Sequence, residues 1–229
     1  MKKRLPTVTL LGLECLDVER LKLAADICQK HFEFGSVKLL SSIPDADPRV
    51  VRIDNVDSLE TYSHFFIKKL HEYVDTDFVL VIQYDGFILN HEAWTDDFLT
   101  YDYIGAPWWY EDENNVGNGG FSLRSKKLLH ILYHDEYITE HHPEDHHIAR
   151  TYGEYLRAKG VVFAPEHVAS RFSIEGCLKE PVPVKYGSVW TNEFGFHGLD
   201  ETDISAWVKL YPEYTVDRAS KRMYLRSGK

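Results

Sequence analysis

The run Phe78-Val79-Leu80-Val81-Ile82 holds no charge and breaks at once into Gln83-Tyr84-Asp85-Gly86. No other stretch constrains the fold as tightly. A short apolar run rich in β-branched side chains is a strand buried on both faces, and such strands belong to sheets covered by helices. Ligands of open α/β sheets collect outside the carboxyl ends of their strands. Asp85 therefore stands where a functional carboxylate would stand, although Asp-Gly after a core strand also reads as a plain turn.

The flanking segments supply the helices such a strand needs. Thr7 to Leu13 reads as a strand, and Asp17 can cap a helix from Val18 to about Phe32, with Val18, Leu21, Ala25, Ile27, Cys28 and Phe32 on one face. With a second strand from Ser36 to Leu40 this is a βαβ unit, which implies parallel pairing and a right-handed crossover. Val50 to Ile53 reads as a short strand, and Ser58 starts a helix whose inner face is Phe65, Phe66, Leu70 and Tyr73. Asn90 can cap a short helix carrying Trp94 and Phe98. Gly117-Asn118-Gly119-Gly120 then leads into an alternating strand ending at Ser125, the cap of a helix with Leu128, Leu129 and Leu132. Clustered glycines mark either a hairpin or a backbone that lets a ligand approach.

Pro143 opens a further helix with Glu144 and Asp145 in its first turn, an apolar face of Ile148, Tyr152, Tyr155 and Leu156, and a stop at Gly160. Val161 to Ala164 reads as a strand and residues 176–188 as a surface loop. Asp200 leads into a short helix with Ile204, Trp207 and Val208. The pattern is α/β: one domain over 1–229 with a mixed, mainly parallel sheet flanked by helices.

A net charge of −10 argues against general nucleic-acid binding, which needs basic surface for the phosphates. Cys15, Cys28 and Cys177 are odd in number and far apart, so neither a disulfide framework nor a cysteine zinc site is expected. Pro6 and Glu14 interrupt any signal-peptide core, and no segment reaches the ~18 apolar residues of a membrane span, which makes a soluble cytoplasmic protein the default. The basic tail, with Arg218, Lys221, Arg222, Arg226 and Lys229, is expected to stand apart from any active site and to touch anionic lipid or an acidic partner.

Three positions could share chemistry: Asp85, the Glu144-Asp145 pair and His197 in Phe194-Gly195-Phe196-His197-Gly198. Asp85 and His197 suit Mn²⁺ or Mg²⁺, and a further carboxylate could serve as general base. Placed at a helix start, Asp145 is expected to be ionised at neutral pH, and the helix dipole by itself would explain an acid there. Other readings compete. Asp45-Ala46-Asp47 has the form of a metal-binding triplet but lies in a proline-bounded turn. His141, His142, His146 and His147 invite a zinc hydrolase, against the absence of His-Glu-x-x-His. Trp94, Trp108, Trp109 and Trp190 could be the sugar platforms of a non-catalytic carbohydrate-binding module.

Taken together and in order, Gln83-Tyr84-Asp85-Gly86-Phe87, Tyr103-Ile104-Gly105-Ala106-Pro107-Trp108, the segment Gly117 to Arg124, Pro143-Glu144-Asp145 and Phe194 to Gly198 resemble a bacterial and viral family of glycosyltransferase-like domains, over roughly residues 50–200. That family resembles the GT-A glycosyltransferases. The resemblance implies a nucleotide-sugar donor, a glycan or other hydroxyl acceptor, and a divalent metal. Gln83-Tyr84-Asp85 would replace Asp-x-Asp, with Asp85 on metal and diphosphate and His197 near the late metal-ligand position. Asn118, Gly119 and Gly120 would line the sugar and acceptor region, with Gly86 and Trp108 among the binding positions. Asp145 would be the base of an inverting reaction, supported by Glu144, in surface polysaccharide or glycan synthesis. Residues 1–106 would bind nucleotide, 107–210 acceptor, and 216–229 form the tail. Gln83 departs from the pattern by removing one negative charge from the metal site.

Overall fold

The computed structural model describes residues 1–112, 114–176 and 187–226. Its centre is a six-stranded sheet in the order β3-β2-β1-β4-β6-β5, built from β1 (Lys3–Leu13), β2 (Phe32–Ser41), β3 (Val50–Arg52), β4 (Phe78–Ile82), β5 (Tyr103–Ile104) and β6 (Ser122–Ser125). The first four are mutually parallel, and β6 runs antiparallel to both its neighbours. This is the mixed, mainly parallel sheet expected.

The charge-free run forms β4, and Val79 to Ile82 are fully buried. Its side chains alternate between two cores. Val79 and Val81 join Leu11, Leu13, Phe65, Phe66 and Leu70 on one face. Leu80 and Ile82 join Val8, Leu10, Leu21 and Cys28 on the other, with an aromatic group that includes Trp94, Phe98 and Phe194. Helices α1 (Val18–His31) and α2 (Leu59–Lys68) cover the faces. Both have the caps their sequences promise: the Asp17 side chain accepts from Glu19 N–H, and Ser58 and Thr61 form a capping box. Ser125 likewise caps α3 (Lys126–His134).

Between β1 and β4 the order of connection reverses. From β1 the chain steps outward through β2 to β3, then returns to place β4 on the opposite side of β1. The carboxyl ends of β1 and β4 thus flank a topological switch point, the usual ligand crevice of such sheets.

Three local expectations change. Phe32 begins β2 directly instead of ending α1. Val161 to Ala164 is not a strand; Phe163 makes one isolated bridge to Tyr103. The helix opened by Pro143 is broken into α4 (Glu144–His146), a π-helical turn at His147–Thr151 closed by a bond from Tyr152 N–H to His147 O, and α5 (Gly153–Ala158). Helix α6 (Glu166–Phe172) leads to β7 (Ser173–Glu175), which pairs in parallel with β8 (Gly195–His197). The chain continues through α7 (Ser205–Leu210) to a hairpin of β9 (Tyr214–Asp217) and β10 (Arg222–Leu225). Most of the loop expected at 176–188, Cys177 included, lies outside the described residues.

Candidate active site

At the end of β4 the backbone turns tightly, with Gln83 and Gly86 exchanging hydrogen bonds. The turn leaves Asp85 only 7% exposed. Its Oδ1 is buried without a hydrogen-bond partner. Burial pushes its pKa up, with nearby His197 opposing. A hydrogen bond from Gly198 N–H to Asp85 O, 2.8 Å long, fastens the loop after β8 to this turn.

His197 Nε2 lies 3.9 Å from Asp85 Oδ1 and 3.0 Å from Gln83 Oε1. On the other side of the ring, Nδ1 is 2.7 Å from Glu175 Oε1. The β7–β8 register sets Glu175 directly beside His197. Burial alone would lower the imidazole pKa, but the Glu175 hydrogen bond and the charges of Asp85, Glu175 and Asp145 outweigh it and push it up to about 9. Both ring nitrogens face acceptors, which suits an imidazolium. The close packing also explains a glycine: a Cβ on Gly120 would meet His197 Nε2 at 2.1 Å.

The glycine loop also positions the second carboxylate. Gly119 N–H donates to Asp145 Oδ2 at 3.0 Å, while Asn118 Nδ2 lies 3.3 Å from His197 Nδ1. Asp145 is therefore one loop away from the Asp85–His197 pair. Its pKa is raised to about 7 by burial first, then by Glu144 and Glu175, against the backbone donors of Gly119 and His146. The direction is opposite to the lowering a helix dipole would give, because α4 is a single short turn and burial dominates. Glu144 is held 2.9 Å from Nη2 of the fully buried Arg124. Arg124 also donates to Gly119 O and Ser122 Oγ. A Cβ on Gly119 would press within 2.2 Å of Glu144.

Beside these groups a cleft of about 390 Å³ opens at the ends of β1 and β4, lined by residues including Glu14, Arg20, Leu59, Tyr62, Gln83 and Tyr84. Arg20 stacks over the Tyr84 ring at 3.5 Å and donates from Nε to Glu14 Oε2 at 2.7 Å. Gln83 donates to the Tyr62 hydroxyl at 2.7 Å.

The structure thus brings Gln83, Tyr84, Asp85, Gly86, Asn118, Gly119, Gly120, Glu144, Asp145 and His197 into one neighbourhood. Trp108 is the exception. It is 8% exposed and packs beneath the loop against Gly117, supporting the site from behind. The sequence reading gave no role to Arg124, Glu175, Glu14, Arg20 or Tyr62. A charge in the alternating strand was the available signal for Arg124; the others are defined by their tertiary partners.

The competing readings lose their geometry. Trp94, Trp108 and Trp190 are buried, leaving Trp109 alone of the four sugar platforms exposed. The clustered histidines diverge: His142 meets Ser63, His141 meets His64, and His147 meets the carbonyl of His142. Asp45 and Asp47 pair with Lys22 and Arg49. Among the described residues, no group of three or more His, Cys, Asp or Glu side chains is arranged to hold a metal, and no helix is long and apolar enough to cross a membrane.

The basic tail is described as far as residue 226. Its described part is the β9–β10 hairpin, with Arg218, Lys221 and Arg222 paired to Asp203, Asp200 and Asp17. It is a docked element, and Lys221 lies beside the loop that follows His197.

The chain belongs to the DUF5672 family, described as a protein of unknown function, whose model matches residues 47–197. Among solved structures it is similar to a glycosyltransferase involved in the glycosylation of the major capsid of PBCV-1, at 13% identity and a TM-score of 0.48, over 84% of this chain and 92% of that one. No curated protein matches the chain.

Proposed function

We propose that the protein is a glycosyltransferase that moves a sugar from a nucleotide-sugar donor to a hydroxyl acceptor with inversion, assisted by Mn²⁺ or Mg²⁺. The observation that carries this reading is a convergence at the switch point of the sheet. A cleft lined by Gln83 and Tyr84 opens there, the next residue, Asp85, has a buried carboxylate oxygen without a partner, and a second carboxylate, Asp145, stands one glycine loop away.

Asp85 would hold the cation through its unpartnered Oδ1, and His197 would be a second protein ligand once its Nε2 proton is lost. Two protein donors make an incomplete shell, and Gln83 adds no charge. Cations such as Mg²⁺ are commonly held by one or two protein ligands and completed by substrate phosphates. When bound, the cation would neutralise charge developing on the leaving diphosphate.

The chain's own groups do the rest. The cleft between Glu14, Arg20 and Tyr84 takes the nucleoside, and the Asn118–Gly120 loop, free of bulky side chains, borders the sugar. Asp145 accepts the proton of the acceptor hydroxyl as that oxygen bonds to the anomeric carbon. The bond from that carbon to the phosphate oxygen breaks, and its electron pair leaves with the nucleoside diphosphate. Glu144, neutralised by Arg124, holds the start of α4 in place.

A thermal-shift screen of UDP-, GDP-, dTDP- and CMP-sugars, each with and without Mn²⁺, tests the reading. A donor at 100 times its dissociation constant should stabilise the protein by about 2.7 kcal/mol. No shift with any donor would overturn it. With the responding donor, Asp85→Asn should abolish the Mn²⁺-dependent part of the shift.

A further inference from the structure

Lys221 occupies the turn of the β9–β10 hairpin with φ +53°, the one non-glycine residue among those described with a positive φ. Glycine or asparagine would sit there more easily. The turn directs its ammonium to Asp200, 2.8 Å away, whose side chain is 4% exposed while that of Lys221 is 49% exposed. Asp200 belongs to the loop after β8, and that loop is braced on the candidate active site from two sides. Gly198 N–H donates to Asp85 O at 2.8 Å, and the Thr202 hydroxyl donates to His197 O at 2.7 Å. Through that loop the Lys221 ammonium is tied to the turn that carries Asp85.

Asp85, Glu175, Asp145 and Glu14 line the site with acids, and the imidazole of His197 stands among them. Arg124 is fully buried, and Arg20 is committed to Glu14 and the Tyr84 ring. Lys221 combines a flexible four-carbon stem with a half-exposed side chain, so its ammonium can swing from a carboxylate to a phosphate oxygen.

We propose that Lys221 binds the diphosphate of the nucleotide, with Asp200 holding its ammonium at the rim until the nucleotide arrives. The inference rests on the nucleotide-sugar reading and adds a phosphate contact from the C-terminal hairpin.

The test uses the full chain with Mn²⁺ and compares calorimetric affinities for UDP, GDP and dTDP with those for uridine, guanosine and thymidine. Lys221→Gly removes the charge while suiting the positive φ, so the hairpin should persist, with a melting temperature lowered by the loss of the Asp200 ion pair but still above the temperature of the titration. Lys221→Arg keeps a cation. The expected result is a loss of at least tenfold in diphosphate affinity for Lys221→Gly, unchanged nucleoside affinity, and substantial retention by Lys221→Arg. Wild-type diphosphate affinity in Lys221→Gly would overturn the proposal and leave the lysine a turn residue. Equal loss of diphosphate and nucleoside affinity would also overturn it, by pointing to a purely structural role. A wild-type protein that binds none of the diphosphates removes the nucleotide-sugar reading itself, and this proposal with it.

Discussion

Asp145 and Arg124 carry opposite lessons about buried charge. Asp145 is pushed up to about 7 by enclosure and by acidic neighbours. A general base works when deprotonated, so turnover should rise with pH through about 7 and level off above it, read from the pH profile of kcat. Asp145→Asn should remove that limb and lower kcat by ~10²–10⁴-fold with donor affinity nearly unchanged. Near-normal turnover in an assay limited by chemistry would assign the base elsewhere. Arg124, by contrast, is a fully buried cation whose partner Glu144 is nearly as enclosed. Arg124→Met leaves that carboxylate unpaired and should destabilise the fold by about 3–5 kcal/mol in urea unfolding. The double change Arg124→Met with Glu144→Leu should recover much of the loss, and a purely additive result would deny the coupling.

Among the elements, β4 and the glycine loop were legible for different reasons. A charge-free apolar run has few other fates than a strand buried on both faces, and its alternation between two cores follows from pleating. The glycines signalled close approach, but sequence could not say to what. The answer is protein: His197 packs against Gly120, and Glu144 against Gly119. Gly120→Ala should therefore displace the His197 ring and abolish Mn²⁺-dependent donor stabilisation, measured by thermal shift, while the circular dichroism of the sheet stays native. Retained metal dependence would show that the ring tolerates the move. Val161 to Ala164 misled because the run meets the sheet edge through one bridge, Phe163 with Tyr103, and leaves Val162 exposed. Asp145 misled because helix-dipole reasoning assumes a solvated helix of several turns, and α4 is neither. Glu175 and Arg20 left no trace in the sequence because each acquires its role from a partner brought in by tertiary folding.

At the scale of the whole molecule, the hairpin joins the first helix to the last strands. Tyr214 and Met223 are buried in the same core as Leu21 and Phe194, and Arg222 pairs with Asp17 at the cap of α1. A chain ending at Val216 loses Met223 and that ion pair. It should be less stable by at least ~2 kcal/mol, or roughly 4–8 °C in Tm for a domain of this size. An unchanged melting temperature would mean the hairpin is only laid on the surface. With a net charge of −10, positive charge reaches a cleft in few places, Arg20 being one.

Gln83 and His197 touch across 114 residues of chain. Ribosomes add ~5–20 residues per second, so roughly 6–23 seconds pass between the making of the first and the making of the second. During that interval the growing chain can already hold β1, α1 and β4, yet the pocket is unfinished and its acid has no imidazole opposite. If metal and diphosphate are held as proposed, the phosphate part of the donor can be gripped only by a chain that has come almost to its end. Ribosome-bound chains stalled before Phe194 should therefore resist protease no better with donor than without, whereas released full-length protein should gain protection.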